Sequence, residues 1–569
     1  MSVTDVAVRE SATPVLADEF DACADIVVVG GGGAGLPVAL FSRWAGNDVV
    51  LLEKAAELGG TARKAAFWYW VPNNRPLRML GVNDREEDFL RYVARVSAPD
   101  RYDPDDPMLG LTDWEHACFR AVYESASPAA ELLNERGALP YRHVAEACDY
   151  WSEVEEDATP TGRVLIHESA GESMADGGVV SINSMEAAAR ADGVEIRTSH
   201  RVQRLVVDPD GVVVGVEAST PGGDTVRVGA RKAVVFATGG FTHDPELRRG
   251  FLGRPAFGGC AARTNEGDLV RIAPPVGAQL RGMSSAWMCP IPLEQAVEGR
   301  PSMSGMFSVS GDSMIFVDKG GRRVVNEKLQ YNELAQKFFE WDGGKREFPN
   351  LVLIKIWDQR SQQNSAGSEF GRLIPPPGAD DKHVIRGATL DQLATSIDGR
   401  LKEYETHTGG VRLSPDFVKT LRATIERFNG FAETGVDEDF RRGERPVQLM
   451  FNGPVADGDH KPNPTMYPLS AVGPYCAALV VGGTLDTKGG PKTDTEARML
   501  DDTDEPITGL YGVGNCVASA SGNSYWAGGA TLGPIIAFAY RAARAADAEP
   551  VRHLDTQFTT SSARKAVQA

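Results

Sequence analysis

The sequence has no Cys-x-x-Cys pair. Its seven cysteines, Cys23, Cys118, Cys148, Cys260, Cys289, Cys476 and Cys516, are scattered along the chain. That scatter excludes zinc-ribbon and haem-attachment spacings and predicts reduced thiols in an intracellular setting. The nine histidines form no His-Glu-x-x-His helix motif, so no metal is expected. No apolar run has the length of a membrane-spanning helix. The first apolar run, Ile26–Phe41, follows Asp18, Glu19, Asp21 and Asp25 rather than a basic stretch, and glycines interrupt it. A secretory leader is therefore not expected, and the expected compartment is the cytoplasm. Basic excess is lacking as well: 59 Lys and Arg stand against 78 Asp and Glu, a formal charge of −19. Such a surface repels nucleic acid and anionic membranes, so neither is an expected partner.

What is present is a soluble-type composition, 42 % hydrophobic and 24 % charged, over 569 residues. That length exceeds one core and predicts at least two domains. Residues up to Asp21 read as a polar arm, and those after Glu549 as a tail. Ala24–Val29 reads as a buried strand, Leu36–Ala45 as a helix and Asp48–Glu53 as a second strand. Glu86–Asn134 has helical periodicity. Val194–Val216 alternates Val-rich runs with turns, as in a small antiparallel sheet, and Lys232–Ala237 reads as another buried strand. The stretch from about Gly282 to Asn452 is richer in aromatics, Met and Pro and reads as an inserted domain. Leu510–Val513 and the apolar helix Leu532–Ala545 read as a return to the first domain. The predicted units are thus an arm (1–21), a discontinuous nucleotide-binding domain (22–281 and 453–548), a catalytic domain (282–452) and a tail (549–569).

Gly30-Gly31-Gly32-Gly33-Ala34-Gly35 satisfies Gly-x-Gly-x-x-Gly between a strand and a helix start. In that position Gly30 permits the turn, Gly32 lets the backbone approach a pyrophosphate, and Gly35 lets helix pack on strand. Glu53, eighteen residues after Gly35, is placed to accept from a ribose diol. Glu53-Lys54 then leads into Leu58-Gly59-Gly60-Thr61, a second close-approach glycine pair. With the strand-plus-glycine element Val234–Gly240 and no second full fingerprint, this favours FAD over NAD or a pyridine-nucleotide reductase.

Ala24–Asn74, Lys232–Asp268, Gly321–Tyr331 and Ala471–Ala539 resemble the 3-ketosteroid Δ1-dehydrogenase branch of the fumarate-reductase-type flavoproteins. Val71-Pro72-Asn73-Asn74, Thr487–Asp494 and Asn523–Pro534 carry the resemblance most strongly. It implies an α/β fold: a Rossmann-like FAD-binding domain built from both ends of the chain, with an inserted α+β catalytic domain. It further implies that Tyr525 and the Gly529 N–H hold a ketone oxygen and that Tyr331, five residues after Asn326, is the base. Tyr150 matches the second Tyr that assists it, and hydride passes to flavin N5, leaving a double bond beside the ketone. Gly33, Ala34, Gly60, Thr61, Lys64, Ala65, Ala66, Val202, Ala237, Thr238, Gly239, Asp268, Gly514, Asn515, Ala530 and Leu532 join Gly30, Gly32, Gly35, Glu53 and Lys54 as expected cofactor contacts. The expected partners are a small cyclic ketone and an unidentified electron acceptor.

Two departures from the branch stand out. Arg63–Trp70 replaces a Ser-Gly-Gly run, and its aromatics read equally as core or as walls of the pocket. Trp526-Ala527-Gly528 replaces prolines, and Trp526 there could narrow the pocket, which points to a smaller or differently shaped ketone than a four-ring steroid. Two other functions compete. A fumarate- or urocanate-type reductase would use arginines such as Arg263 and Arg322 with His460, and a flavin-binding subunit would have no turnover of its own.

Overall fold

Ile26, Val27, Val28 and Val29 are all buried, as expected of a β-branched run covered on both faces of a parallel sheet. In the computed structural model, which describes residues 12–171, 174–298, 309–367, 373–452 and 461–554, they form the strand Ala22–Val29 at the heart of a nine-stranded sheet. Val49–Leu52 pairs with it in parallel on one side and Thr225–Phe236 on the other. The outer edge of Thr225–Phe236 is shared. Its first half pairs antiparallel with Val213–Ser219, and Val234–Phe236 pairs in parallel with Pro506–Gly512. The C-terminal segment therefore re-enters the first sheet, and the helix Leu532–Asp547 packs against Gly35–Trp44 and Asp113–Glu135.

A second, five-stranded sheet contains Ala286–Pro292, Met314–Val317, Val352–Asp358, Ile385–Gly387 and Tyr475–Thr487. Helices Leu390–Glu403 and Phe417–Thr434 accompany it. A small three-stranded sheet, Tyr69–Trp70, Tyr141–His143 and Val164–His167, completes the frame of the site.

Four expectations need correction. The polar arm is not free up to Asp21: Val15–Leu16 pairs in parallel with Val206–Val207 and Phe20 is buried. Residues 1–11 lie outside the described residues, as do 555–569 of the expected tail. The start of that tail docks: Arg552 N–H donates to the Arg231 carbonyl, and Leu554 packs beside Phe20. The inserted unit also runs past Asn452. Tyr475–Thr487 is the strand that pairs with Ala286–Pro292, Val352–Asp358 and Ile385–Gly387 of the second sheet, so the chain returns to the first sheet only after Thr487. Finally, the antiparallel strands near Val194–Val216 are not a separate sheet. Glu195–Arg197 extends the parallel sheet beside Val49–Leu52, and Arg201–Val207 with Val213–Ser219 forms a meander continuous with it.

Candidate active site

The two sheets meet around a cavity of about 850 Å³. Its floor at one end is the glycine turn. Gly30 has φ +104°, and a Cβ on Gly35 would lie 1.7 Å from the Gly30 carbonyl oxygen, so the helix can start this close to the strand only without a side chain. A Cβ on Gly32 would meet nothing nearer than the Gly59 oxygen at 3.6 Å; the loop leaves open space on the cavity side. Glu53 ends its strand with both carboxylate oxygens accepting backbone N–H groups, from Gly31 at 2.8 Å and Ala55 at 2.7 Å.

Of the expected cofactor contacts, Gly30, Gly32, Gly33, Ala34, Glu53, Lys54, Gly60, Thr61, Lys64, Ala65, Ala66, Val202, Ala237, Thr238, Gly239, Asp268, Asn515 and Leu532 line this cavity. Gly35, Gly514 and Ala530 do not. Gly35 packs beneath the turn, and a Cβ on Gly514 would lie 3.0 Å from that of Ala34. Lys54 and Asp268 engage each other: Lys54 Nζ lies 2.6 Å from Asp268 Oδ2, and Arg201 Nη2 2.5 Å from Asp268 Oδ1.

At the other end stand three tyrosines. Tyr150, Tyr331 and Tyr525 all line the cavity, and their ring centroids lie 5.5–5.8 Å apart pairwise. The Tyr150 hydroxyl donates to the Tyr331 oxygen at 2.9 Å. Thr531 Oγ1 donates to the Tyr525 oxygen at 3.2 Å, and the Gly529 N–H faces that same oxygen. Burial raises the pKa of all three phenols. Trp287, Phe451 and Trp68 complete the apolar wall.

The aromatic run after Ala66 divides. Phe67 and Trp68 line the cavity, whereas Tyr69 and Trp70 are fully buried in the core. Trp526 does not narrow the pocket. It is 2 % exposed and packs on Trp70 and Phe119, with its Nε1 donating to Ser97 Oγ at 2.8 Å. Its peptide carbonyl accepts from the Tyr150 N–H, so the two loops are stitched together.

The Tyr150 loop has its own anchor. Arg163, fully buried, donates to Asp84 at 2.9 Å, to Asp157 at 3.2 Å and to Asp149, and Trp70 Nε1 donates to Asp149 at 2.8 Å. Removing one partner of a buried ion network leaves uncompensated charge. Arg163→Met is therefore expected to lower stability by about 3–5 kcal/mol, read as a lower Tm together with loss of the Tyr150–Tyr331 contact. A variant with unchanged Tm would show that the network anchors nothing.

Asp486 was not anticipated. It lines the cavity from the end of Tyr475–Thr487 and accepts from Gly240 N–H, Thr242 Oγ1, Asn265 Nδ2 and Asn515 Nδ2. Its signal was an acid closing an otherwise apolar run, Ala477–Leu485.

The family description "FAD binding domain" matches residues 25–532. The chain belongs to the FAD-binding flavoproteins. It is 32 % identical to 4-oxocyclohexanecarboxylate 2-dehydrogenase of Sinomonas cyclohexanicum over 91 % of this chain and 92 % of that one. It is 30 % identical to 3-oxosteroid 1-dehydrogenase of Mycobacterium tuberculosis H37Rv, over 91 % and 97 %. The crystal structure of 3-ketosteroid Δ1-dehydrogenase from Sterolibacterium denitrificans superposes with a TM-score of 0.77 at 24 % identity, covering 92 % of this chain and 99 % of that one. This flavoprotein is an FAD-dependent oxidoreductase of the ketosteroid-dehydrogenase branch. Among its described residues no helix is long and apolar enough to cross a membrane, and no group of three His, Cys, Asp or Glu side chains could hold a metal ion. Arg263 and Arg322, the grips a reductase of unsaturated acids would need, do not line the cavity; His460 lies outside the described residues.

Proposed function

We propose that this flavoprotein introduces a carbon–carbon double bond next to the ketone of a steroid-like or simpler alicyclic substrate. The observation that carries the reading is the triangle of buried tyrosines beside Gly529, in the same cavity as the glycine turn. Bound FAD supplies the hydride acceptor. The open face of Gly32, Glu53 at its strand end and the helix start at Leu532 would hold it, the last favouring negative charge through its N-terminal N–H groups. Tyr525 and the Gly529 N–H would grip the ketone oxygen, two donors that stabilise the developing enolate. Tyr331 would take the proton from the neighbouring carbon, its oxygen held by the Tyr150 hydroxyl at 2.9 Å. The apolar wall of Trp68, Trp287 and Phe451 keeps water from the enolate.

The likeness to a dehydrogenase of 4-oxocyclohexanecarboxylate makes single-ring ketones the first substrates to try. The test is anaerobic loss of flavin absorbance with substituted cyclohexanones and with 4-androstene-3,17-dione. Failure of every cyclic ketone would sink the reading. The pH profile has a definite sign. Because burial lifts the Tyr331 pKa above its ordinary value of about 10, the phenolate fraction grows with pH throughout the accessible range. The bleaching rate is therefore expected to climb from neutral pH to about pH 10 without a plateau. A plateau near neutrality, measured by stopped flow, would exclude Tyr331 as the base. The electron acceptor that reoxidises the flavin is a further partner of this reading.

A further inference from the structure

The strand Tyr475–Thr487 ends in residues that an apolar run has no need of. Just beyond it, Lys488 is 0 % exposed. Its ammonium donates to Ser521 Oγ and to the Ser524 carbonyl, each at 2.9 Å, and sits 4.4 Å over the ring of Trp287. The Lys488 carbonyl in turn accepts from the Ser519 N–H. Ser524 immediately precedes Tyr525, and the Trp287 and Tyr525 rings lie 6.1 Å apart. One side chain therefore fixes both the peptide before Tyr525 and the indole beside it.

Burying an ammonium against neutral partners is costly, and an apolar side chain of the same length would fill the place at less cost. Its two hydrogen-bond partners are neutral. Glu333 is the acid whose field favours its charged form, while burial pulls its pKa well below the ordinary value. Asn332, next to Tyr331, performs the matching task from the other side: its Nδ2 donates to the Asn523 carbonyl at 3.0 Å.

We propose that Lys488 is a positioning residue for the ketone-binding loop, holding the Ser524–Tyr525 peptide and Trp287 so that the Tyr525 hydroxyl meets the substrate oxygen. The proposal rests on the reading that Tyr525 grips the ketone. A misplacement of about 1 Å at a reacting centre costs on the order of 100-fold in rate. Lys488→Met is therefore expected to lower kcat of the FAD-loaded enzyme by ~100-fold, while KM shifts by less than about threefold. FAD content and Tm should stay near those of the parent. Lys488→Arg, which can still donate to two acceptors, should recover kcat to within about tenfold. Ser521→Ala, which removes one of the two acceptors, should fall between. Retention of kcat within about twofold in Lys488→Met overturns the proposal. So does loss of FAD or of Tm in step with kcat, which would make the lysine a folding residue. If Lys488→Met gives no soluble protein to assay, Ser521→Ala decides: full kcat overturns, as does loss of FAD or Tm in step with kcat, and reduced kcat with FAD and Tm retained supports. Tyr525→Phe is run alongside. If it keeps full activity the functional reading fails, whereas an inactive Tyr525→Phe with an active Lys488→Met removes only the role given to Lys488.

Discussion

Tyr525→Phe is expected to remain yellow and folded, yet to bleach with cyclic ketones some 10²–10³-fold more slowly than the parent. The hydroxyl is one of two donors proposed for the ketone oxygen, and losing one donor of an oxyanion hole has a cost of that order. The loss should fall on kcat more than on KM, because an enolate needs the donor more than a neutral ketone does. The ring itself can stay. Tyr525 packs edge-on against Tyr150 and Tyr331 and tilted against Trp287, contacts that Phe preserves, so FAD content and Tm serve as internal controls. The half-buried Thr531 hydroxyl loses its acceptor in this variant, a lesser change at a residue that already begins a helix. Full bleaching rates in Tyr525→Phe would end the catalytic assignment, whatever the substrate.

The parts of this molecule that follow a local rule were legible before any coordinates. A β-branched run, four glycines and an acid at the end of the next strand announce a strand–turn–helix–strand unit, and Ala22–Val29, Gly35–Trp44 and Val49–Leu52 form it. The late apolar helix could only be buried, and it is packed against the first helix of the chain. Tyr150 and Tyr331 are different: 181 residues separate two side chains that share a hydrogen bond. No periodicity brings them together; only the family resemblance could.

The misreadings have physical causes. An apolar strand such as Tyr475–Thr487 looks the same whichever sheet it joins, so its allegiance to the second sheet is decided by partners far away in the chain. Trp526 lies on a loop, where the direction of a side chain obeys no repeat. Here it is set by the open place between Trp70 and Phe119. The arm around Val15 is too short to show a period of its own, but it finds an unpaired strand edge at Val206–Val207 and seats Val15 and Phe20 on an apolar cluster there, and an open edge accepts almost any extended segment.

Gly32→Ala and Gly35→Ala are expected to fail in different ways, and the difference separates the cofactor's demands from the protein's. Gly35 is helical, and Ala in a helix is ordinarily favoured over Gly by about 1 kcal/mol. Here the new methyl would lie 1.7 Å from the Gly30 carbonyl oxygen. Backbone overlap of that depth exceeds any propensity gain, so strand and helix must part. Gly35→Ala should lower Tm and lose FAD together. Gly32 is free of that conflict: its φ is not in the left-handed region, and the nearest protein atom to its new methyl would be 3.6 Å away. The apoprotein should fold normally with Ala there. Its methyl would instead occupy the face that a pyrophosphate must approach, so Gly32→Ala should purify with the parent's circular dichroism spectrum and little or no bound flavin. The ratio of flavin to protein absorbance, read beside a thermal melt in added FAD, distinguishes the two. A Gly32→Ala protein carrying stoichiometric FAD would mean that the cofactor does not run along this turn, and a stable, yellow Gly35→Ala protein would mean that the helix can shift without losing it.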